Sequence, residues 1–326
     1  MQVIVIGSFV QDLTFNCAEF PKPGETVIGR FQTGPGGKGS NQAVAAARAG
    51  GQVGFVGAVG RDAFGAGARA FQEAEGIRWL VAEKADRPTG AAAILVNALG
   101  QNEIIVSLDA NETLSAEDVD AHAGLLRSAV VVVTQLEANL AAEARALEHA
   151  RTAGVTTVLN PAPMRADFDP ALLTHVDILI PNESEFCALI NLLPQTKATA
   201  QLGFDEKKLA SLTEDLLHKL CRELGVGTVI VTLGARGCLV SRAEGYALIP
   251  AVPGIKAVDT TGAGDAFVGA FAAALAEFGP REIERAARFA NAGAGLSVTK
   301  PGTAPAMPTR AEIDALLAAS PTTAKG

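Results

Sequence analysis

Short β-branched runs alternate along the chain with longer stretches rich in Ala, Glu and Arg. The runs are apolar almost throughout, which is typical of strands covered on both faces, and the stretches between them have helical composition. The runs are VIVIG, VGFVG, VVVVT, VTTVLN, DILIP and TVIVT, at residues 3–7, 53–57, 130–134, 155–160, 177–181 and 228–232. This alternation predicts an α/β fold, in which a doubly wound, mostly parallel sheet carries helices on both faces.

Two segments interrupt the alternation. Residues 13–33 are punctuated by Pro and Gly without a helical period, and residues 91–107 have the pattern of two strands around a short turn. We expect both to form a small β-sheet beside the main one. A length of 326 residues suits a single α/β domain spanning 1–326 with these two inserts. Residues 193–206 and 321–326 are expected to be a polar loop and a frayed end.

Composition excludes several classes of protein. The formal net charge of −8 argues against nucleic acid or an anionic membrane as partner, although backbone N–H groups can still bind a phosphate. The cysteines form no C-x-x-C pair and the histidines lack metal-ligand spacing, so neither zinc nor a disulfide framework is predicted. Neither a membrane span nor a signal-peptide pattern is present in the sequence. We therefore expect a cytoplasmic protein.

Polar and Gly-rich residues follow the predicted strands closely. They are Asp12, Gln135, Glu137, Asn160, Asn182, Glu185 and the stretch 234–237. Ligands of an open parallel sheet bind outside the carboxyl ends of its strands, so we expect these residues to converge on one crevice. The alternative is that about half of them are only caps and turns.

The segment DTTGAGD, residues 259–265, precedes a strongly helical run. Gly262 and Gly264 allow a tight turn and leave the N–H groups of the helix start accessible, which predicts an anion site. Asp265 falls in the first helical turn, where it is either a catalytic carboxylate or an ordinary acidic residue at a helix start.

A second glycine-rich segment, GPGGKGSNQA at residues 34–43, also runs into a helix. It fits the dinucleotide fingerprint weakly, because it does not follow the first strand directly, and it is not a P-loop. Lys38 and Asn41 suit a hydroxyl-rich or phosphate ligand; the alternative is a tight turn with a solvated lysine. In the third segment, PNESE at residues 181–185, Glu185 suits Mg²⁺ and Asn182 either assists it or only caps a helix.

These segments together resemble the PfkB sugar kinase family, and within it the ribokinases. GGKGSNQAVAAARAG and DTTGAGDAF correspond to the two family signatures. FPKPGET, GAVGRDAFG, QLE, NPAP, PNESE, TLGARG and VTKPGTAPAMP resemble ribokinase segments in order and approximate spacing. The resemblance implies transfer of the γ-phosphoryl group of ATP to a sugar hydroxyl, with ribose converted to ribose 5-phosphate as the leading case. It also implies a β-sheet lid that joins two copies into a homodimer.

The resemblance assigns roles to individual residues. Asp265 matches the base that accepts the proton of the sugar hydroxyl. The anion hole for the phosphoryl group is implied at the N–H groups of Gly262, Ala263 and Gly264. Sugar contacts are implied at Asp12, Gly36, Gly37, Lys38, Asn41, Glu137 and Asp265. Nucleotide contacts are implied at Asn182, Thr232, Gly234, Ala235, Arg236, Gly237, Gly264 and Asn291.

Two metal sites are also implied. Glu185 matches the acid associated with Mg²⁺. A monovalent cation, usually K⁺, is implied mostly at backbone carbonyls of Asp259, Thr261, Ser297, Lys300, Gly302 and Ala306.

Three features depart from the ribokinase pattern. Val10 stands where ribokinases usually have Asn, and the absence of one polar partner for a sugar hydroxyl costs about 1–3 kcal/mol of binding. The segment SLDAN at 107–111 is not a typical ribokinase sequence, and the loop after PNESE is longer than usual.

Other functions stay open on the sequence. One alternative is a kinase of the same family for a fructose-type sugar or a nucleoside. Another is a dinucleotide-dependent oxidoreductase built on residues 34–39, with Asp62 as the ribose partner. A sugar-binding protein without catalysis is the non-enzymatic alternative.

Overall fold

The structure, a computed structural model, describes residues 1–192 and 204–320, so the predicted end at 321–326 and nearly all of the predicted loop at 193–206 lie outside it. The strands are β1 (Val3–Ile6), β2 (Val10–Asn16), β3 (Arg30–Gly36), β4 (Val53–Val56), β5 (Ala58–Gly60), β6 (Arg78–Trp79), β7 (Ala82–Lys84), β8 (Ala91–Val96), β9 (Asn102–Ser107), β10 (Val131–Thr134), β11 (Thr156–Leu159), β12 (Ile178–Leu179), β13 (Thr228–Thr232), β14 (Cys238–Arg242) and β15 (Gly245–Ile249). The helices are α1 (Lys38–Arg48), α2 (Ala63–Ala74), α3 (Ala116–Asp120), α4 (Ala123–Ser128), α5 (Leu140–Thr152), α6 (Glu183–Leu192), α7 (Glu206–Ala210), α8 (Glu214–Glu223), α9 (Ala263–Phe278), α10 (Ile283–Ser297) and α11 (Arg310–Ala319).

Among the described residues, nine strands form the main sheet in the order β15-β14-β13-β12-β11-β10-β1-β4-β6. Neighbours from β13 to β6 are parallel, whereas β14 and β15 form an antiparallel hairpin at one edge. The six predicted runs become β1, β4, β10, β11, β12 and β13, which confirms the mostly parallel α/β fold. The hairpin escaped prediction because β14 (CLVSR) and β15 (GYALI) each contain a single β-branched residue, unlike the six predicted runs.

Strand β1 illustrates why the central runs are apolar throughout. Val3 and Val5 pack in a cluster with helices α1, α9 and α10, whereas Ile4 and Ile6 pack in a second cluster with α5. Consecutive residues of a strand point to opposite faces, so a strand between two helical layers has no polar face.

A separate small sheet, with the order β3-β2-β8-β9, confirms the predicted appendage. Strand β2 begins at Val10, earlier than the predicted start of the insert at residue 13. The first residues of the predicted glycine loop, 34–36, likewise belong to a strand, β3. This strand pairs with β2 along its length, from Val10 opposite Gly36 to Asn16 opposite Arg30. Asp12 therefore lies within a strand of this small sheet rather than in a strand-end loop.

Helices α1 and α9 pack directly against each other. A Cβ atom at Gly269 of α9 would lie 2.5 Å from the Cβ of Ala45 and 2.8 Å from the backbone nitrogen of Ala46, and would overlap the carbonyl oxygen of Gln42. Since no side chain separates the helices here, their backbones are in contact. The starts of both helices, at Lys38 and Ala263, are thereby held side by side at the carboxyl ends of the strands.

No helix among residues 1–192 and 204–320 is long and apolar enough to cross a membrane.

We expect Gly269→Ala to destabilise the protein by about 1–3 kcal/mol, because the added methyl group must push α1 and α9 apart. The control is Gly67→Ala in α2, where a Cβ would meet nothing within 4 Å. That change should stabilise the protein by about 0.5–1 kcal/mol, since Ala is the better helix former. Urea unfolding measures both; a Gly269→Ala variant as stable as Gly67→Ala would contradict the close contact.

Candidate active site

Two adjoining cavities open at the carboxyl ends of the central strands. The smaller has a volume of about 150 Å³ and the larger about 840 Å³. Residues that line both are Asn182, Thr232, Thr260, Ala263 and Gly264. The start of α9 therefore forms a wall common to the two cavities. Lys38, Asn160, Glu185 and Asp265 also line the smaller one, so polar residues from several strand ends do meet in one crevice.

The N-terminus of α9 carries the predicted anion hole. Gly262 has φ of 77°, a left-handed conformation that glycine adopts without steric cost, and no side chain caps the helix. Gly262 and Gly264 both line the small cavity, where the positive end of the helix dipole favours an anion. The N–H of Ala263 donates to the carbonyl of Thr260 at 3.2 Å, so it must leave that partner before it can bind a ligand.

Asp265 is the third residue of α9 and is only 6% exposed. Its Oδ2 accepts a hydrogen bond from Asn41 Nδ2 at 3.1 Å, and its Oδ1 accepts one from Gln42 Nε2 at 3.0 Å. The buried Oδ1 of Asn41 has no partner among the described residues. The pair therefore offers an amide acceptor and a carboxylate to a hydroxyl group of a ligand.

The predicted sugar contacts gather around the start of α1. Glu137 Oε2 accepts from Ser8 Oγ at 2.6 Å and from the backbone N–H of Lys38 at 2.8 Å. A Cβ at Gly36 would lie 2.5 Å from the carboxyl carbon of Asp12, so the Asp12 side chain lies directly across this glycine. Gly37 links the strand to the helix and Asn41 faces Asp265. The structure thus brings this predicted set together.

Lys38 is the cation at the centre of an acidic cluster. The pKa of Lys38 is raised chiefly by Asp265, against the opposing effect of burial, with Glu137 and Glu185 adding to the shift. Burial and the neighbouring Glu137 raise the pKa of Asp12 to about 6. Because carboxylates outnumber cations here, the cluster favours a ligand that brings positive charge with it.

Asn182 and Glu185 hold each other at the start of α6. The Oδ1 of Asn182 accepts from the Glu185 N–H at 2.8 Å, so Asn182 does cap this helix. The backbone and side-chain N–H groups of Asn182 donate to the two Glu185 oxygens, each at 2.9 Å. Burial raises the pKa of Glu185 to about 7; Asp265 adds to the shift, and the Asn182 N–H and Lys38 oppose it.

Glu185 is therefore a suitable neighbour for Mg²⁺. Carboxylate and amide oxygens are ligands that this ion prefers. A cation in the cavity would also offset the energetic cost of burying the Glu185 carboxylate in its charged form.

The larger cavity has one polar and one apolar side. Its polar side includes the predicted nucleotide contacts Asn182, Thr232, Gly234, Ala235, Gly237, Gly264 and Asn291. Its apolar side is formed by Val252, Pro253, Ile255, Phe267 and Val298, a surface suited to an aromatic heterocycle. The predicted contact Arg236 instead pairs with Glu183, a lining residue, at 2.7 Å.

The two segments of the predicted K⁺ site lie side by side. Asp259 Oδ1 accepts from the N–H of Thr261 and Oδ2 from the N–H of Gly302, both at 2.9 Å. Burial acts to raise the pKa of Asp259, but these hydrogen bonds outweigh it and hold the pKa below its usual value. The Val298 carbonyl accepts from the N–H of Asp259 at 3.2 Å and so adds a backbone link.

The second of these segments is fixed from outside. Arg48 donates to the carbonyls of Ala304, Pro305 and Met307, which flank Ala306. The Lys300 side chain pairs with Glu312 at 2.9 Å, which leaves the backbone of Lys300 as the candidate ligand. A fixed turn rich in carbonyl groups beside an ionised carboxylate fits a monovalent cation.

Asp62 has a structural role that argues against the oxidoreductase alternative. It caps α2 by accepting from the Gly65 N–H at 2.8 Å, and it also accepts from the N–H and the hydroxyl of Thr89, both at 2.7 Å. With its carboxylate committed in this way, Asp62 is not available to a ribose hydroxyl.

Sequence reasoning missed several residues of the site. Gln42 contacts Asp265 directly, and Ser8 contacts Glu137. Gln135 and Asn160 stood out at strand ends but received no role; both prove to be bonded to Gln42. Gln42 follows Asn41 inside the glycine-rich segment. A polar residue without an assigned role at the start of a helix was therefore the sequence feature that could have identified it. No sequence signal marked Thr260 or the apolar wall.

Comparison with known proteins agrees with this geometry. The family model described as pfkB family carbohydrate kinase matches residues 1–310. The chain is 38% identical over 314 residues to ribokinase of Mus musculus; the matched region covers 95% of this chain and 93% of that protein. It is 36% identical over 310 residues to deoxyribokinase of Salmonella typhi, with 94% and 96% covered. The solved structure of Arabidopsis thaliana ribokinase complexed with ribose and ATP is similar, with a TM-score of 0.78, 32% identity and 97% and 98% coverage.

The family match spans nearly the whole chain, and the relatives are matched over nearly their full length. The chain belongs to the pfkB family of carbohydrate kinases, which transfer a phosphoryl group to an alcohol group of a sugar.

Proposed function

We propose that the protein is an ATP-dependent kinase whose leading substrate is D-ribose, converted to ribose 5-phosphate. The observation that carries the proposal is the position of Asp265. Its carboxylate lines the smaller cavity, and the adjacent Gly264 lines both cavities. A hydroxyl group held at Asp265 therefore faces a phosphate chain that enters from the larger cavity. The relatives named as ribokinases in Mus musculus and Arabidopsis thaliana support ribose as the acceptor.

In the proposed reaction, Asp265 accepts the proton of the attacking sugar hydroxyl. The sugar oxygen forms a bond to the γ-phosphorus of ATP while the bond to the leaving oxygen of ADP breaks. The N–H groups of Gly262 and Gly264, at the positive end of α9, stabilise the negative charge on the phosphoryl oxygens. Asp12, Gly36, Gly37, Lys38, Asn41 and Glu137 hold the sugar in position.

Two cations complete the proposed site. Mg²⁺, held beside Glu185, would neutralise charge on the phosphates. K⁺ would bind carbonyl oxygens of the two segments that Asp259 joins. Asp259 lies immediately before the glycine turn of α9, so a cation bound here would fix the segment that carries the proposed anion hole.

A homodimer through the small sheet is also proposed. In β9, Ile104, Ile105 and Val106 are consecutive and exposed, so both faces of this strand lack a covering layer. Phe15 and Phe31 lie on neighbouring strands with ring centroids 5.1 Å apart, and both rings are exposed. A sheet with two apolar faces can cover the sugar with one face and a second copy with the other. Light scattering tests the proposed dimer.

A deoxypentose is the second candidate substrate, and Val10 is the observation that favours it. Val10 is 3% exposed and points to the same face of β2 as Asp12, because the two residues are two positions apart. An apolar side chain at this point cannot bond a hydroxyl group, whereas a sugar that lacks the hydroxyl leaves nothing unpaired. The similarity to Salmonella typhi deoxyribokinase is consistent with this choice.

We expect Asp265→Asn to lower kcat by about 10²–10⁴-fold, because the amide cannot accept the proton. The KM for ATP should stay within about threefold, since the larger cavity is unchanged. The control is Asp169→Asn, an exposed cap that accepts from the Ala171 N–H and should keep full turnover. Near-normal turnover of Asp265→Asn with ribose would refute the role of the carboxylate.

We expect Val10→Asn to raise kcat/KM for ribose by about 5–150-fold relative to kcat/KM for 2-deoxyribose, the range that corresponds to about 1–3 kcal/mol. Val10→Leu, which changes size without adding a polar group, should leave this ratio near the parent value. A coupled assay with both pentoses measures the change. Turnover confined to a hexose or a nucleoside would count against both pentose candidates.

We expect the rate to rise several-fold when K⁺ replaces Na⁺ at constant ionic strength. The reason is that the larger, more weakly hydrated ion gives up water more readily to backbone carbonyls. Asp259→Ala should remove this difference, because the two segments lose their common anchor. Equal rates of the parent protein in K⁺ and Na⁺ salts would contradict the proposed cation site.

A further inference from the structure

We propose that Gln42 is a positioning residue that fixes the orientation of the Asp265 carboxylate and connects it to the ends of β10, β11 and β12. The inference rests on the proposed role of Asp265 as the base. Gln42 does not touch the sugar or the nucleotide in this proposal; it acts only through Asp265.

A chain of buried amides carries the inference. Gln42 Nε2 donates to Asp265 Oδ1 and to Asn160 Oδ1, each at 3.0 Å. Gln42 Oε1 accepts from Gln135 Nε2 at 2.7 Å, and Asn160 Nδ2 donates to the carbonyl of Ile180 at 2.9 Å. Gln135, Asn160 and Ile180 each directly follow a strand of the main sheet, namely β10, β11 and β12. The chain thus joins three neighbouring strand ends to the start of α9.

The direction of these hydrogen bonds is not free to reverse. An ionised carboxylate and a backbone carbonyl are acceptors only, so the NH₂ group of Gln42 must face Asp265 and that of Asn160 must face Ile180. Gln42 then presents its oxygen to Gln135, and both of its hydrogens are used. One orientation of the Gln42 and Asn160 amides satisfies all of their partners, whereas the Oε1 of Gln135 has no partner among the described residues. Gln42, held in this way, cannot turn without breaking several bonds.

Backbone packing also holds Gln42 in place. Its carbonyl oxygen is one of the atoms nearest to the position that a Cβ atom of Gly269 would occupy, and Gln42 itself is fully buried. Asp265 lies one helical turn before Gly269 on the same helix. The contact between α1 and α9 therefore fixes the distance between Gln42 and Asp265, and the amide chain fixes the direction.

Of the two side chains described as donating to Asp265, removal of the Gln42 amide would leave only Asn41. The carboxylate could then rotate about its terminal side-chain bond. Attraction to the positive charge of Lys38 and repulsion by the negative charge of Glu185 would both favour such a rotation. Misplacement of a reacting group by about 1 Å can cost about 10²-fold in rate. A merely structural buried glutamine would instead affect stability without a specific effect on kcat.

The test is Gln42→Met, which keeps the volume of the side chain and removes its donors and acceptor. We expect kcat for the sugar to fall about 10–100-fold with the sugar KM within about threefold. The matched control is Gln72→Met: Gln72 is equally buried and donates to Ser40 Oγ at 2.8 Å. This control should lose stability but keep kcat. If Gln42→Met does not fold, Gln42→Asn, which retains an amide but withdraws it from Asp265, takes its place in the same comparison.

A double-mutant cycle separates this inference from the proposed function. If Gln42 acts through Asp265, the loss of kcat caused by Gln42→Met should largely disappear in an Asp265→Asn background. Full turnover of Asp265→Asn alone would overturn the role of the base, and this inference with it. Two results would overturn this inference alone, provided that Asp265→Asn shows the expected fall in kcat. One is a fall in kcat from Gln42→Met that is equally large in the parent and in the Asp265→Asn background. The other is a fall in kcat from Gln42→Met no larger than that from Gln72→Met.

Discussion

The backbone contact between α1 and α9 at Gly269 is the constraint on which the site depends. Each helix begins in a glycine-rich segment, and each segment supplies different residues of the proposed site: Lys38 and Asn41 from one, Gly262, Gly264 and Asp265 from the other. The residues of the two segments are more than 200 positions apart in the chain; the hydrogen bond from Asn41 to Asp265 spans 224. A side chain at Gly269 would push the N-termini of α1 and α9 apart. The glycine at this position is therefore needed for the geometry of the crevice.

The charges in the crevice follow a similar logic. Lys38 lies among Asp265, Glu137 and Glu185, with Asp12 next to Glu137. The raised pKa values of Asp12, to about 6, and Glu185, to about 7, reflect burial of carboxylates without enough cations to balance them. A site of this kind suits the proposed phosphate ligand accompanied by a metal ion. The proposed anion hole at α9 and the acidic cluster would then be complementary parts of one site.

Much of the fold followed from local pattern. The six central strands could be predicted because a strand covered on both faces must be apolar throughout, as β1 is. The hairpin β14–β15 could not, because each of its strands has only one β-branched residue and so lacks the composition of the central runs. The strand character of Gly34 and Gly36 was also hidden, since pairing with Asp12 and Val10 comes from a strand of the small sheet. Glycine is depleted in strands, so the glycine-rich composition of residues 34–39 suggested a turn.

The sequence by itself determined the α/β class, the polar residues that follow the strands, and the two glycine-rich helix starts, because all of these depend on residues close together in the chain. Tertiary structure alone decided that the N–H of Ala263 is bonded to Thr260, that Asp62 is committed to Thr89, and that Gln42 bonds to Asp265 through a fixed amide. These outcomes depend on which donors and acceptors meet after folding. The crevice is buried, so most of its polar groups are paired within the protein, and only the packed helices and strands determine which partner is within reach.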